Sequence, residues 1–474
     1  MKRSALTYSL AAILSAASIS AGANTLQEIY LLALENDHQL KADEAAYRAG
    51  LEQKTILRAD LLPQINATAT YSDTTQDLDN VRSFIFQDDS DPNAPPTVTR
   101  SETVGEEETE TTTYTVSLTQ PLFNLTAWFD YKRGVVLGEQ AEAQFGADQQ
   151  ALIIRVSEAY FNVLRAVDNL ETSIAEEKAL GHQLEQTKQR FEVGLTAITD
   201  VHEAQASFDD ATAVTLEARG NLGIAFEALE VITGTSHEAI APLQEKFPVV
   251  NPEPAARHEW VDFALKNNYA LKVAKLAAEA SRQNSRARRS GHLPTLVGNL
   301  NYRDSSGDGI DTEDFDTSSD VEEQTISIEL TVPLYSGSRI SGQRRQAYQQ
   351  FLQNQELYNR TQRDTIQQAR SFHLEVVTDV AQVKARAQAI TSSLSALEAT
   401  QAGYDVGTRN LVDVLVAQRN VYQARRNYSD ALFDYVVNML RLKEVAGNLS
   451  PEDVIKLNQW LEAGKPISRA QYEK

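Results

Sequence analysis

Residues 193–205 read VGLTAITDVHEAQ and residues 406–418 read VGTRNLVDVLVAQ, identical at six of thirteen positions at an offset of 213. A match of this length within one chain marks an internal duplication, and other matches extend it. Thr119-Gln120-Pro121-Leu122-Phe123 pairs with Thr331-Val332-Pro333-Leu334-Tyr335 at an offset of 212, and LPQINATATY at 62–71 meets LPTLVGNLNY at 293–302 at an offset of 231. The blocks keep their order in both halves. The change of offset falls between the second and third blocks, so one connection is longer in the first half.

Around each matched turn the chain carries a long helical pattern. From Gly342 to Tyr404 there is no proline, and Ile366, Ala369, Val376, Val380, Val383, Ala387, Ile390, Leu394 and Leu397 follow an alternating three-four step. The first half repeats this with Leu152, Val156, Ala159, Val163, Ala166, Leu170, Leu180 and Leu184. At about 1.5 Å per residue the stretch from Gly342 to Tyr404 reaches roughly 95 Å, far beyond a helix of a compact domain. Gly194 and Gly407 end these stretches, as left-handed caps leading into antiparallel partners do. Each half therefore predicts a helical hairpin.

Between the helices lie short alternating runs. Tyr114, Val116 and Leu118 alternate with Thr115, Ser117 and Thr119, and Ile326, Ile328, Leu330 and Val332 alternate with Thr325, Ser327, Glu329 and Thr331. Ile65, Ala67, Ala69 and Tyr71 oppose Asn66, Thr68 and Thr70 in the same way. This is the pattern of strands with lipid on one side and water on the other. Pro63, Pro121, Pro294 and Pro333 mark the strand-helix junctions, where a fixed φ and a missing donor stop one element from running into the next.

The composition narrows the rest. Among 474 residues, 44 Lys+Arg stand against 66 Asp+Glu, a net charge of −22, which argues against a nucleic-acid binder. The absence of cysteine excludes disulfides, thiolate metal sites and a lipidated N-terminal cysteine. Lys2 and Arg3, the apolar run from Ala5 to Ile19 and the A-x-A site at Ala21-Gly22-Ala23 form an expected signal peptide over 1–23. No later stretch approaches the roughly 18 apolar residues of a spanning helix, so entry into a membrane requires a closed barrel. Two repeats give four strands, too few to close alone; two chains make eight strands, three make twelve with an open lumen.

The fold expected is thus an α+β membrane protein, long coiled-coil helical hairpins continuous with a transmembrane β-barrel. Its parts are repeat 1 over 24–234 with a strand pair at about 63–120, an inter-repeat segment at 235–256, repeat 2 over 257–447 with a strand pair at about 294–332, and a polar C-terminal tail at 448–474. Phe123, Trp128, Phe129 and Tyr131 are candidate anchors at the membrane interface, with core packing as the alternative. Residues 304–315, DSSGDGIDTEDF, start like a calcium loop with Asp304, Ser306 and Asp308, but Phe315 stands where the bidentate glutamate belongs. The preferred reading there is an acidic loop, like the longer one from Asp73 to Glu110 that holds Asp88, Asp89 and Asp91. The seven histidines show no metal spacing and no nucleophile motif is present, so neither an enzyme nor a cofactor is expected.

Taken together, LPQINATATY, TQPLF, VGLTAITDV and VGTRNLVDV resemble the TolC family of outer-membrane efflux ducts over nearly the whole chain, from Leu26 to about Gly447. The resemblance implies a homotrimer with a twelve-stranded barrel in outer-membrane lipid, its helices forming a coiled-coil α-helical barrel in the periplasm, and 235–256 in an equatorial collar. It implies passive export of drugs or proteins as part of a tripartite pump or type I secretion system. Its partners would be a periplasmic adaptor and an inner-membrane RND, ABC or MFS transporter. It also implies an entrance latch in which Thr199 and Asp200 accept hydrogen bonds from Tyr404 and Arg409. Asp413 would form a carboxylate ring on the threefold axis, and Val416 stands where the family pattern has a second aspartate. The competing reading is a structural or adhesive coiled-coil protein of the envelope.

Overall fold

The computed structural model describes residues 24–86, 95, 97–244, 246–310 and 316–472. The expected signal peptide, Asp88, Asp89, Asp91 and Phe315 lie outside the described residues. The chain is mostly helical. In order it forms α1 (Leu26–Asn36), α2 (His38–Ala59), β1 (Gln64–Phe86), β2 (Thr97–Phe123), α3 (Leu125–Glu192), α4 (Ile198–Thr233) and β3 (Ala239–Ile240). There follow α5 (Arg257–Asn267), α6 (Tyr269–Ser290), β4 (Thr295–Ile310), β5 (Asp316–Thr331), α7 (Arg339–Asp405), α8 (Leu411–Val445), α9 (Pro451–Asn458) and β6 (Ile467–Ser468). At 68 and 67 residues, α3 and α7 are each about 100 Å long.

Two units divide this material. The first comprises the described residues up to Gly50, Glu139–Leu276 and the chain from Gln355; the second comprises Leu51–Gly138 and Ala277–Asn354.

The second unit is built on an antiparallel sheet in the order β1-β2-β4-β5. Its register puts like residues side by side. Ile65, Leu118, Leu300 and Ile326 form one rung across all four strands, and Asn66, Ser117, Asn301 and Thr325 form the next. One face is thus apolar and the other polar, which the two-residue period of strands requires. Among the described residues nothing covers the apolar face: Ile65, Tyr71, Tyr114, Ile326, Ile328 and Leu330 are all exposed, Ile326 at 81%.

The strands run further than their apolar patterning. β1 and β2 stay paired from Gln64↔Thr119 to Phe86↔Thr97, so Asp73 and Glu110 face each other on a ladder. The stretch expected as a long acidic loop is mostly hairpin. Likewise Asp304, Ser306 and Asp308 are paired to both β2 and β5, strung along β4 instead of wrapped around one point as calcium ligation needs. Among the described residues no group of three or more acidic or histidine side chains is placed to hold a metal. Pro63 and Pro294 immediately precede β1 and β4, and Pro333 follows β5. Pro121 instead lies within β2, where the register with β4 shifts between Pro121 and Phe123, a bulge that tolerates its missing donor.

The first unit has a continuous core of Leu26, Ile29, Tyr160, Phe161, Phe226, Leu229, Ile240 and Leu442, contributed by α1, α3, α4, α8 and the inter-repeat segment. The Tyr160 hydroxyl donates to the Ala241 carbonyl at 2.6 Å, and the Tyr435 hydroxyl donates to the Val250 carbonyl at 2.9 Å. These bonds hold residues 241–250 against the long helices. His237 is buried between Thr233 and Asn24 at 2.7 and 2.9 Å, and burial pushes its imidazole below the usual range.

The segment from 448 to 472 belongs to this unit. Val454, Leu461 and Tyr472 are buried in the core, β6 pairs with β3, and Asn24 bridges to Ile240 from the other side. Arg469 reaches Glu230 at 2.7 Å and Glu227 at 3.0 Å, and the Tyr472 hydroxyl donates to Glu171.

Close by on α3, the largely buried Asp168 accepts a 2.8 Å bond from Ser429 of α8. Burial, with Glu171 and Asp430 nearby, pushes its carboxyl up to about 6. A carboxylate held above its unfolded value near 3.9 costs the fold nothing below about pH 4; its cost grows between pH 4 and 6 and is complete above that. At about 1.4 kcal/mol per pH unit the ceiling is about 3 kcal/mol. Asp168→Asn should therefore stabilise the protein at pH 7.5 and flatten the pH 4–6 limb of its stability curve, checked by thermal unfolding across that range.

Candidate functional site: the helical turns

The first unit carries both turns between long helices. Gly194 and Gly407 have φ of 77° and 79°, a left-handed conformation that costs glycine nothing and other residues about 1–2 kcal/mol. Both turns close the same way. Leu195 N–H donates to Arg190 and Gly194 N–H to Phe191 at 2.8 and 2.9 Å, while Thr408 N–H donates to Gly403 and Gly407 N–H to Tyr404 at 2.8 and 3.0 Å. This is the paired carbonyl capping of a Schellman turn, which satisfies the last helical acceptors and reverses the chain.

One cluster joins the two hairpins near these turns. Leu180 and Leu184 of α3, Ala204 and Ala211 of α4, Tyr404 of α7, and Leu411, Val414 and Leu415 of α8 are buried together. The Arg190 guanidinium lies 4.7 Å from the centre of the Tyr404 ring, a cation-π contact between the end of α3 and the end of α7. The sequence motifs of the two turns are thus brought to one end of this unit.

Within one chain the four latch residues do not bond to one another. Tyr404 is 7% exposed, and its hydroxyl has no hydrogen-bond partner among the described residues. Arg409 is exposed, with Nη1 3.8 Å from Asp413 Oδ2. The Asp200 carboxylate accepts from the Thr196 hydroxyl of its own turn. Thr199 is exposed in the first turn of α4.

Asp413 has a second commitment. It is the third residue of α8, and its backbone N–H donates to the Asn410 side chain at 2.8 Å while its carboxylate accepts from the Asn410 N–H at 3.4 Å. This capping box satisfies donors that the helix start leaves open. Val416, one turn on, is exposed. Arg190, Thr196 and Asn410 were not singled out from sequence. Only Asn410 had a readable signal, the Asn-x-x-Asp spacing of a helix start.

Around these polar groups the turns present apolar side chains outward: Val193, Leu195 and Val406 are each about 70% exposed or more. Asn410→Ala should remove the cap and cost roughly 1 kcal/mol, seen as faster amide exchange confined to the first turn of α8.

The family model described as outer membrane efflux protein matches residues 29–235 and 260–448. The chain is 36% identical over 458 residues to outer membrane protein TolC of Vibrio cholerae, covering 96% of this chain and 98% of that protein. It is 32% identical over 469 residues to TolC of Escherichia coli, covering 96% and 88%. It is 29% identical over 460 residues to the alkaline protease secretion protein AprF of Pseudomonas aeruginosa, covering 95% and 90%. Among solved structures, the outer membrane protein VceC from Vibrio cholerae superposes with a TM-score of 0.69 at 17% identity over 89% of this chain and 96% of that one. With the family model spanning both halves and TolC relatives aligned nearly end to end, this chain belongs to the outer membrane efflux protein family and is an outer-membrane exit duct with its helical part in the periplasm.

Proposed function

We propose that three copies of this chain close one duct, with twelve strands in the outer membrane and the helical hairpins in a periplasmic barrel. The observation that carries this reading is the sheet itself. β1 and β5 are its edges, each with a row of backbone donors and acceptors facing outward, and its apolar face is uncovered. Lipid cannot satisfy such edges, so β1 of one copy pairs with β5 of the next until the ring closes. From Phe123 to Tyr114 the strand runs about 30 Å, which a tilt of 35–45° reduces to about 23 Å, close to the apolar band of a barrel. Twelve strands leave an open lumen, whereas eight fill with side chains. The adhesive reading gives no reason for apolar rungs on an uncovered face.

The duct conducts passively and performs no chemistry of its own. Its gate is at the helical turns. The buried Tyr404 hydroxyl lacks a partner among the described residues, and leaving it unpaired costs about 1–3 kcal/mol, so a neighbouring protomer or a shifted closed state supplies its acceptor. Arg409 and Asp200 are available for the same exchange, together with Thr199. Charge-assisted bonds suit a latch because they are strong when dry and are replaced by water on opening. The exposed apolar tips are the natural seat for a periplasmic adaptor. An inner-membrane RND, ABC or MFS transporter supplies energy and chooses the cargo, drugs or proteins. The relative named for alkaline protease secretion supports the protein-export branch.

Single-channel recording of the protein in a planar bilayer tests the gate. Small, cation-selective steps are expected, growing several-fold in Tyr404→Phe with Arg409→Ser; unchanged conductance in the double variant would remove the latch. Asp413 contributes one ring of three carboxylates with Val416 beneath it, so block by a trivalent cation should be weak and should disappear in Asp413→Asn. Equal block in both proteins would take the ring out of the account.

A further inference from the structure

The chain carries a net charge of −22, yet the helix ends that adjoin β4 and β5 are strongly basic. Between Ala280 and Arg303 there is no carboxylate, and Arg282, Arg286, Arg288 and Arg289 lie in the last turns of α6. Between Leu330 and Gln355 there is again none, and Arg339, Arg344 and Arg345 lie in the first turns of α7. Arg282, Arg286, Arg289, Arg344, Arg345 and Tyr348 line a groove of about 430 Å³ between these helices, all six exposed. The spacing of Arg282, Arg286 and Arg289 puts them on one helical face.

Their charge is largely uncompensated within the described residues. Arg282 has Glu279 at 3.3 Å, but among the described residues no carboxylate lies within ion-pair distance of Arg286, Arg289, Arg344 or Arg345. The Arg286 guanidinium lies 6.0 Å from the centre of the Phe129 ring. Phe129 belongs to the first turns of α3, where Trp128 is 45% exposed and carries Lys132 over its ring at 5.4 Å. Aromatic rings and cations therefore share one level of this unit, next to strands whose apolar face is bare. That is the composition of a membrane interface on its headgroup side.

We propose that this groove binds the phosphate-bearing headgroup of an anionic phospholipid in the periplasm-facing leaflet. The assignment rests on the outer-membrane placement of the strands and goes beyond it in naming a lipid class. Two observations favour lipid over other anions. The arginines adjoin the helix-side ends of membrane-facing strands, and the neighbouring exposed Leu334 and Tyr335, at 92% and 87%, offer apolar surface to an acyl chain. Arginine's planar fork pairs with phosphate oxygens two at a time, so a cluster of four holds a phosphodiester more firmly than scattered lysines do.

The test reconstitutes the full protein in nanodiscs of phosphatidylethanolamine containing a minor fraction of phosphatidylglycerol, and measures the phosphatidylglycerol retained per trimer after delipidation, by native mass spectrometry. The wild type should retain it in excess of the bulk fraction. Arg344→Gln with Arg345→Gln should lower that enrichment about tenfold, and Arg344→Lys with Arg345→Lys, which keeps the charge without the fork, should restore only part of it. Heat-resistant trimer migration and single-channel conductance, unchanged in the glutamine pair, separate this result from failure of the barrel. If the glutamine pair does not assemble, Arg286→Gln with Arg289→Gln on α6 provides the same reading. Equal enrichment in wild type and an assembled glutamine pair would overturn the proposal. So would complete displacement of the lipid by millimolar inorganic phosphate, which would assign the groove to a soluble anion.

Discussion

A backbone amide in hydrocarbon has no water to bond with, and much of this fold follows from that constraint. Four strands meet it only at their three internal seams, and the outer edges of β1 and β5 stay open. In the proposed ring, pairing those edges with neighbouring copies satisfies their donors, and the number of copies sets whether a lumen exists. The helices are subject to no such rule because each satisfies its own ladder. They run on as single elements about 100 Å long, through a compartment where water is available to every exposed polar group.

Polarity along the strands reflects the same division. The rungs from Ile65 to Tyr71 and from Tyr114 to Leu118 alternate between apolar and polar residues, the pattern that a half-apolar environment selects. Beyond them the ladder continues through Asp73, Glu108 and Glu110, where both faces meet water and no apolar residue is needed. These positions read as loop from sequence because alternation is a signature of a half-apolar environment, not of a strand as such. The turns were legible for the opposite reason: Gly194 and Gly407 occupy a conformation that few other residues adopt, and each sits in a repeated motif.

What sequence did not disclose is what depends on distant partners. Arg190 and Tyr404 stack across elements far apart in the chain, and neither position carries a local mark of it. Thr196 looks like any turn threonine until Asp200 is seen beside it. The buried residues of the last segment, Val454, Leu461 and Tyr472, are too widely spaced to form a period, and the polar residues between them set the average. Thr199, Asp200, Tyr404 and Arg409 were legible as a polar group near the two turns, and within one chain they do not bond to one another.

Ile240 sits where three remote parts of the chain meet, with Asn24 bridged on one side and Ile467 paired on the other. Gln27 N–H also reaches Asn458 Oδ1 at 3.1 Å, so the start of α1 is held by the end of α9. A polypeptide crossing the inner membrane from its N-terminus presents Leu26, Ile29 and Ile240 long before residues 454–472 emerge to cover them. Contacts separated so far along the sequence form late. Maturation of this unit therefore completes only once the last segment has crossed, and until then its uncovered apolar side chains are a hazard for aggregation.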